Sequence, residues 1–243
     1  MLITSTDNKK IKEIVKLKQK KYRNIENKFI IETENLIEEA YLENRLEEVY
    51  ILENENISLK LDCPIYEVTS KVMDKIKSVN TSKILGIATK KENLEYIGKR
   101  YLMLDKVSDP GNLGTIIRSA VAFNIDTIIL SKNTVDLYNS KVLRSTQGMI
   151  FNINIVVSDL EKEIKELKNK NYKILTTKVD GGKLIKNIEK KEKFVIIIGN
   201  EGNGVSEQLQ QLSDEYIYIK MNEKCESLNA AVATSIILYE LSR

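Results

Sequence analysis

The chain has 243 residues, a formal net charge of +3 and no histidine, which excludes a serine–histidine–aspartate triad, a histidine base and a histidine metal ligand. Its 38 Lys and Arg residues are nearly balanced by 35 Asp and Glu, so any nucleic-acid surface must come from local clustering of basic residues. Cys63 and Cys225 lie far apart, and no apolar run approaches the ~20 residues of a membrane helix. We therefore expect a cytoplasmic protein that contacts no membrane and holds no metal.

Residues 1–95 alternate helices with strands, which predicts a small α/β domain. Asp7 or Asn8 can cap a first helix that continues to about Arg23 and presents many lysines. A solvated lysine face is the simplest interpretation, but such a helix can also contact the phosphates of RNA. The candidate RNA-binding residues here are Lys9, Lys10, Lys20, Lys21 and Arg23.

The charged stretch 90–100 is the best linker candidate, and we place a domain boundary between residues 95 and 96. Residues 96–243 again alternate strands and helices with crossover-length gaps, which predicts a parallel sheet. After a strand at 101–107, residues 109–112 read Asp-Pro-Gly-Asn, which favours a type II turn before a helix over 115–123.

A continuous apolar run at 194–198 predicts a buried parallel strand, and it ends in a loop that holds Gly199, Gly202 and Gly204. In an open α/β sheet, ligands bind beyond the carboxyl ends of the strands. Val205 stands where a phosphate-binding P-loop needs lysine, and the chain has no GxGxxG dinucleotide fingerprint. A nucleotide- or NAD-binding enzyme is therefore a weak alternative.

Three loops that follow strands carry the polar residues typical of a site: N-x-G-x-x-x-R at 112–118, GNEGNGVS at 199–206 and SLNAAVA at 227–233. In this order they closely resemble the three motifs of the SpoU (TrmH-like) branch of the SPOUT RNA methyltransferases, over about 102–241. Residues 1–95 resemble, more loosely, the substrate-binding domain of the same family. Lys220 and Glu223 stand where relatives often have proline and glycine.

The resemblance implies an α/β fold in which a small L30e-like α/β/α domain precedes a parallel-sheet SPOUT domain with a C-terminal trefoil knot. It implies S-adenosylmethionine as cofactor, methylation of a ribose 2′-hydroxyl in structured RNA, and a homodimer formed through the C-terminal domain. By analogy the two-domain plan favours 23S ribosomal RNA as the substrate. Transfer RNA is an alternative substrate, and a non-enzymatic RNA-binding protein is an alternative function.

The same resemblance implies the site residues. The catalytic candidates are Arg118, Asn112, Glu201, Ser227 and Asn229, and the cofactor-binding candidates are Thr177, Gly199, Asn200, Gly202, Ile219, Met221, Ser227 and Leu228. Arg144 matches a basic position in relatives and is a candidate RNA contact, although a plain surface arginine fits equally well. Asn112 and Asn229 can also be read as helix caps.

The role of Arg118 stays open between a general base and an electrostatic anchor. A guanidinium holds its proton at neutral pH, which makes the base role awkward. We favour a role in which Arg118 binds the phosphate or the 2′-oxygen, while an RNA phosphate takes the proton.

Overall fold

The computed structural model describes residues 2–91, 97–179, 181–189 and 191–242. They form two compact units, Met1–Asn93 with Asp136–Asn152, and Leu94–Val135 with Ile153–Arg243. The boundary predicted between residues 95 and 96 lies within the stretch 92–96, outside the described residues, and it stays a prediction. The first unit also takes in residues 136–152, which no single cut of the chain would assign to it.

The elements follow in chain order. The strands are β1 (Leu2–Ile3), β2 (Lys28–Ile31), β3 (Leu46–Leu52), β4 (Ile65–Val68), β5 (Ile84–Thr89), β6 (Arg100–Leu104), β7 (Thr127–Ser131), β8 (Asn154–Ser158), β9 (Lys173–Thr177), β10 (Lys183–Leu184), β11 (Phe194–Ile198) and β12 (Glu215–Tyr218). The helices are α1 (Lys9–Leu17), α2 (Lys20–Ile25), α3 (Glu34–Leu42), α4 (Ser70–Ile76), α5 (Pro110–Ala122), α6 (Ser140–Thr146), α7 (Leu160–Asn169), α8 (Glu207–Gln211) and α9 (Ala230–Ser242). Short 3₁₀ turns cover Met149–Phe151 and Ile185–Asn187.

The first unit contains a mixed five-stranded sheet of order β1-β4-β3-β5-β2, in which β5 runs antiparallel to β2 and β3. The apolar spacing of α1 buries Ile11, Ile14 and Leu17 in the core, together with residues of α4. The side chain of Asn8 caps α1 by accepting a hydrogen bond from Lys10 N at 2.9 Å.

The single basic helix predicted as far as Arg23 is wrong, because α1 ends at Leu17 and a second helix begins at Lys20. Gln19 between them adopts an extended backbone, with φ −98° and ψ 132°. The chain therefore turns, and the lysines of α1 and α2 do not share one helical face.

Residues 136–152 complete the core of the first unit. The guanidinium of Arg23 is buried, donates hydrogen bonds to the carbonyl oxygens of Leu17 and Lys18, and pairs with the carboxylate of Asp136. The buried ring of Phe29 lies 4.6 Å from that of Tyr138 and 6.0 Å from that of Phe151, between ring centroids. The segment that contributes these partners is thus an integral part of the first unit.

The second unit contains a seven-stranded sheet of order β10-β12-β9-β11-β6-β7-β8, and all its strand pairs are parallel. The parallel sheet predicted from the sequence is confirmed. All five residues of β11 are buried, which explains its unbroken apolar sequence. Strand order does not define a knot, so the trefoil knot stays a prediction.

The turn predicted at 109–112 is wrong, because α5 already begins at Pro110. The side chain of Asp109 caps the helix and accepts a hydrogen bond from Asn112 N at 2.8 Å. Proline suits the first helical position, where its missing N–H costs no intrahelical bond. The consequence for the site is that Asn112 lies in the first turn of a helix.

Within the described ranges, no helix is both long enough and apolar enough to cross a membrane.

We expect Asp136→Ala to destabilise the protein by about 2–3 kcal/mol, because it leaves the buried charge of Arg23 without its carboxylate partner. The cost falls at the low end for buried pairs, since Asp136 keeps part of its surface in solvent. Asp7→Ala is the matched control, because it removes a fully exposed pair with Lys12 and should leave stability almost unchanged. Chemical denaturation measures both, and equal losses would show that the Asp136 pair is no more important than a surface pair.

Candidate functional site

A cavity of about 570 Å³ lies in the second unit, where β9, β11 and β12 end and α9 begins. All eight residues predicted to bind a cofactor line it: Thr177, Gly199, Asn200, Gly202, Ile219, Met221, Ser227 and Leu228. Of the predicted catalytic residues, Glu201, Ser227 and Asn229 also line the cavity. The volume lies within the range of small-molecule sites, which run from roughly 300 to 1,000 Å³.

The glycine loop after β11 folds back on itself. Asn200 and Gly204 exchange two backbone hydrogen bonds of 3.0 and 2.9 Å, and the Oδ1 of Asn200 accepts further bonds from the backbone N–H groups of Gly202 and Asn203. A Cβ on Gly199 would lie 2.0 Å from the backbone carbon of Gly204. Only glycine at position 199 lets the loop close this tightly.

The carboxylate of Glu201 links this loop to the start of α5. It accepts hydrogen bonds from the Asn112 side chain at 2.9 Å, from the backbone N–H and hydroxyl of Ser108, and from the backbone N–H of Asp109. The side chain of Asn200 adds a bond of 3.3 Å. Every one of these groups donates to Glu201, so the arrangement favours the ionised carboxylate.

Partial burial acts to raise the pKa of Glu201, but hydrogen bonds from Asn112 and from the backbone of residues 201, 108 and 109 outweigh it and lower the pKa to about 2. Such a carboxylate is ionised throughout the neutral range and is a weak base. Glu201 is therefore suited to hold other groups in position and unsuited to remove a proton.

Asn112, which is bonded to Glu201, is also hydrogen-bonded to Asn229 at the start of α9. Its Oδ1 accepts a hydrogen bond from the Nδ2 of Asn229 at 2.8 Å, and the Oδ1 of Asn229 caps α9 by accepting from the backbone N–H groups of Ala231 and Val232. Asn229 is thus both a helix cap and a site residue, whereas Asp109 rather than Asn112 caps α5. The three segments predicted from the sequence meet in one hydrogen-bonded chain.

Arg118 is not part of the hydrogen-bond network of Glu201, Asn112 and Asn229. It is exposed on α5, six residues after Asn112, which corresponds to about 9 Å along a helix axis. It does not line the cavity, and it forms no hydrogen bond or ion pair with any residue that the structure describes. Since no described residue engages its guanidinium, Arg118 can meet a ligand that comes from outside the cavity wall.

The predicted RNA contacts all lie in the first unit, in different environments. Lys9, Lys20 and Lys21 are exposed, whereas Lys10 is hydrogen-bonded to Glu48 at 2.7 Å. Arg23 is buried in the pair with Asp136, so we leave it out of the RNA surface.

Arg144 in α6 is half-buried beside the carboxylate of Glu32. Burial raises the pKa of Glu32, and Arg144 acts to lower it. The Nη1 of Arg144 is buried without a hydrogen-bond partner among the residues that the structure describes. The plain surface arginine considered from the sequence does not match this environment.

Sequence reasoning did not single out Lys178, Gln210 and Tyr218, which also line the cavity. Lys178 and Tyr218 lie at strand ends, and that position was the available signal. No three Cys, Asp or Glu side chains gather into a metal-binding group among the described residues.

We expect Gly199→Ala to destabilise the protein by at least about 2 kcal/mol, because the new methyl group would meet the backbone of Gly204. Gly202→Ala is the matched control in the same loop. A Cβ there lies 3.6 Å from its nearest neighbour, and the φ of Gly202 is not positive, so we expect a change below about 1 kcal/mol. Thermal unfolding of both variants tests the difference; equal stability would mean that the loop is looser than described.

Comparison with known proteins agrees with this geometry. Residues 99–239 match the profile of the SpoU rRNA Methylase family, and residues 8–86 match that of an MRM3-like substrate binding domain. A Bacillus subtilis protein named 23S rRNA (guanosine(2553)-2′-O)-methyltransferase RlmP is 35% identical, with 98% of each chain covered.

Two crystal structures of an rRNA methyltransferase from Sinorhizobium meliloti have the same fold. The first is 28% identical with a TM-score of 0.87, over 99% of this chain and 96% of that one. The second, with AdoMet bound, is 29% identical with a TM-score of 0.86, over 99% and 97%. The matched family covers more than half of the chain and contains all the motif residues of the site, so this chain belongs to the SpoU rRNA Methylase family.

Proposed function

We propose that this chain transfers a methyl group from S-adenosylmethionine to a ribose 2′-hydroxyl of 23S ribosomal RNA. The observation that carries the proposal is the cavity in which the three family motifs meet through Asn112, Glu201 and Asn229. The Sinorhizobium relative with AdoMet bound and the name of the Bacillus relative support the cofactor and the reaction.

The residues of the cavity fit the cofactor. Ile198, Ile217, Ile219, Leu228 and Ile237 provide apolar surface for an adenine ring. The glycine loop brings the main chain to the wall, where a Cβ on Gly199 would force the loop open. We propose that the eight lining residues inferred from the resemblance bind the cofactor.

When bound, S-adenosylmethionine supplies a methyl group on a positively charged sulfur, which needs only an aligned nucleophile and a route for its proton. Arg118 donates hydrogen bonds to the phosphate or to the 2′-oxygen and stabilises the negative charge that develops there. Glu201, Asn112, Ser227 and Asn229 position the ribose and the loops around it. The carboxylate oxygens of Glu201 are already bonded to Ser108, Asp109 and Asn112, so the proton acceptor that we propose is a phosphate oxygen of the RNA, next to the 2′-hydroxyl.

Ribosomal RNA is the substrate that we infer, and the first unit is its binding domain. The name of the Bacillus relative and the match of residues 8–86 to a substrate binding domain support this assignment. Lys9, Lys20 and Lys21 offer exposed positive charge for phosphates, with Arg144 as a further candidate. With this substrate, the protein works in the cytoplasm.

The apolar stripe on α9 supports a homodimer. Val232, Ile236 and Tyr239 are 48%, 37% and 47% exposed and lie at i, i+4 and i+7, on one face of the helix. An exposed apolar face of this kind is typical of a protein interface. In a symmetric dimer, α9 of the second copy would bury it with the same apolar face. Arg118 lies next to Ser119, whose hydroxyl contacts that of Ser235 in α9 at 2.7 Å. A partner packed on this stripe would thus lie close to Arg118, which does not line its own cavity.

The function is tested in cells that lack the protein. We expect a 2′-O-methyl group to be missing from 23S RNA, to return with the wild-type chain, and not to return with Arg118→Ala. Mapping of 2′-O-methyl sites in total RNA measures this. Calorimetry should show that Arg118→Ala keeps its affinity for S-adenosylmethionine within a few-fold, because Arg118 does not line the cavity.

A lost methyl group in transfer RNA would identify the other substrate. Unchanged methylation together with RNA binding would favour a binding protein without catalytic activity. Full restoration by Arg118→Ala would remove Arg118 from the mechanism.

The dimer is tested with Val232→Glu, which places a charge in the stripe and should shift the protein to monomers in sedimentation velocity runs. Val157→Glu is the matched control, because Val157 in β8 is 57% exposed and lies outside the stripe. Monomers in the wild-type protein, or the same shift in both variants, would contradict a dimer through α9.

A further inference from the structure

Among the described residues that line the cavity, Lys178 is the one basic residue and Glu201 is the one acidic residue. The carboxylate of Glu201 is already bonded to Ser108, Asp109 and Asn112. Lys178 has no acidic partner in the described structure, whereas neighbouring Lys173 and Lys183 both pair with Glu215. Among the residues that the structure describes, Lys178 is therefore a lining cation without a compensating carboxylate.

Four backbone amides of the glycine loop are already hydrogen-bonded within the loop. The backbone N–H groups of Asn200 and Gly204 bond to each other's carbonyl oxygens, and those of Gly202 and Asn203 bond to the Asn200 side chain. Glycine-rich loops that bind anions do so with free amides. In this loop the amides of these four residues are engaged, so a carboxylate in the cavity requires a different donor.

We propose that Lys178 binds the methionine carboxylate of S-adenosylmethionine. The carboxylate is the only anionic group of this cofactor, and Lys178 is the only cation of the described wall. The proposal rests on the proposed use of this cofactor and adds a residue that sets specificity for its amino-acid part.

The main chain of Lys178 is fixed, and its exposed ammonium lies near a tyrosine ring. Its backbone N–H donates to the carbonyl oxygen of Ile217 at 2.9 Å, which fixes the main chain directly after β9. Its Nζ lies 5.5 Å from the centre of the Tyr216 ring. The hydroxyl of Tyr216 in turn donates to the carbonyl oxygen of Gln210 at 3.0 Å. The ring is thus a fixed support, and its contact with an exposed ammonium is weak enough to yield to a carboxylate.

The test compares two ligands that differ in the amino-acid part. S-adenosylhomocysteine keeps the carboxylate, whereas 5′-methylthioadenosine lacks the whole amino-acid end. We expect Lys178→Met to weaken binding of S-adenosylhomocysteine by the full chain about ten-fold, the effect of one charge-assisted hydrogen bond, and to leave 5′-methylthioadenosine unchanged. Lys178→Arg should restore most of the lost affinity. Isothermal titration calorimetry measures each dissociation constant.

Lys193→Met is the matched control, because its Nζ also lies 5.5 Å from a tyrosine ring, that of Tyr172, but it does not line the cavity. It should bind both ligands like the wild-type protein. An equal loss for both ligands in Lys178→Met, or no loss for either, overturns the proposal. If the wild-type protein binds neither ligand, the proposed cofactor fails, and the role of Lys178 fails with it.

Discussion

The geometry of the site depends on the hydrogen bonds that the ionised carboxylate of Glu201 accepts from the start of α5. Through this carboxylate the glycine loop is bonded to the first turn of α5, and through Asn112 the connection reaches the first turn of α9. Asn112 is 89 residues from Glu201 and 117 from Asn229 in sequence, so one group holds together segments that the chain brings from afar. The cavity lies among the ends of these segments, and its shape follows from that bonding.

The backbone amides of Asn200, Gly202, Asn203 and Gly204 are hydrogen-bonded within the glycine loop. This limits which groups of the loop can contact a ligand. A loop that is already closed loses little conformational freedom when a ligand arrives, which favours affinity through preorganisation. The same closure removes donors that a charged ligand would otherwise use. For the proposed cofactor, the main chain would supply shape, and Lys178 would supply the charge that selects the amino-acid part.

Sequence reasoning succeeded where a pattern depends on local physics. The apolar run of β11 and the alternation of strands and helices predicted the parallel sheet, and the family resemblance supplied the residues that line the cavity. Asp109-Pro110-Gly111-Asn112 was misread because the same residues suit a type II turn and a capped helix start. Arg23 was misread because its partner, Asp136, is 113 residues away. The hydrogen bonds of Glu201 also join residues that are distant in sequence, so the spacing of residues within each motif could not predict them.

Residues 136–152 also bear on how this protein can evolve and be engineered. They are encoded between β7 and β8, neighbouring strands of the second sheet, yet their Tyr138 and Asp136 pack on residues of the first unit. A recombination that exchanged only the first ninety residues with a relative would join foreign residues to these two partners. The first unit is therefore encoded in two separate stretches, and a graft that replaces this unit has to transplant both.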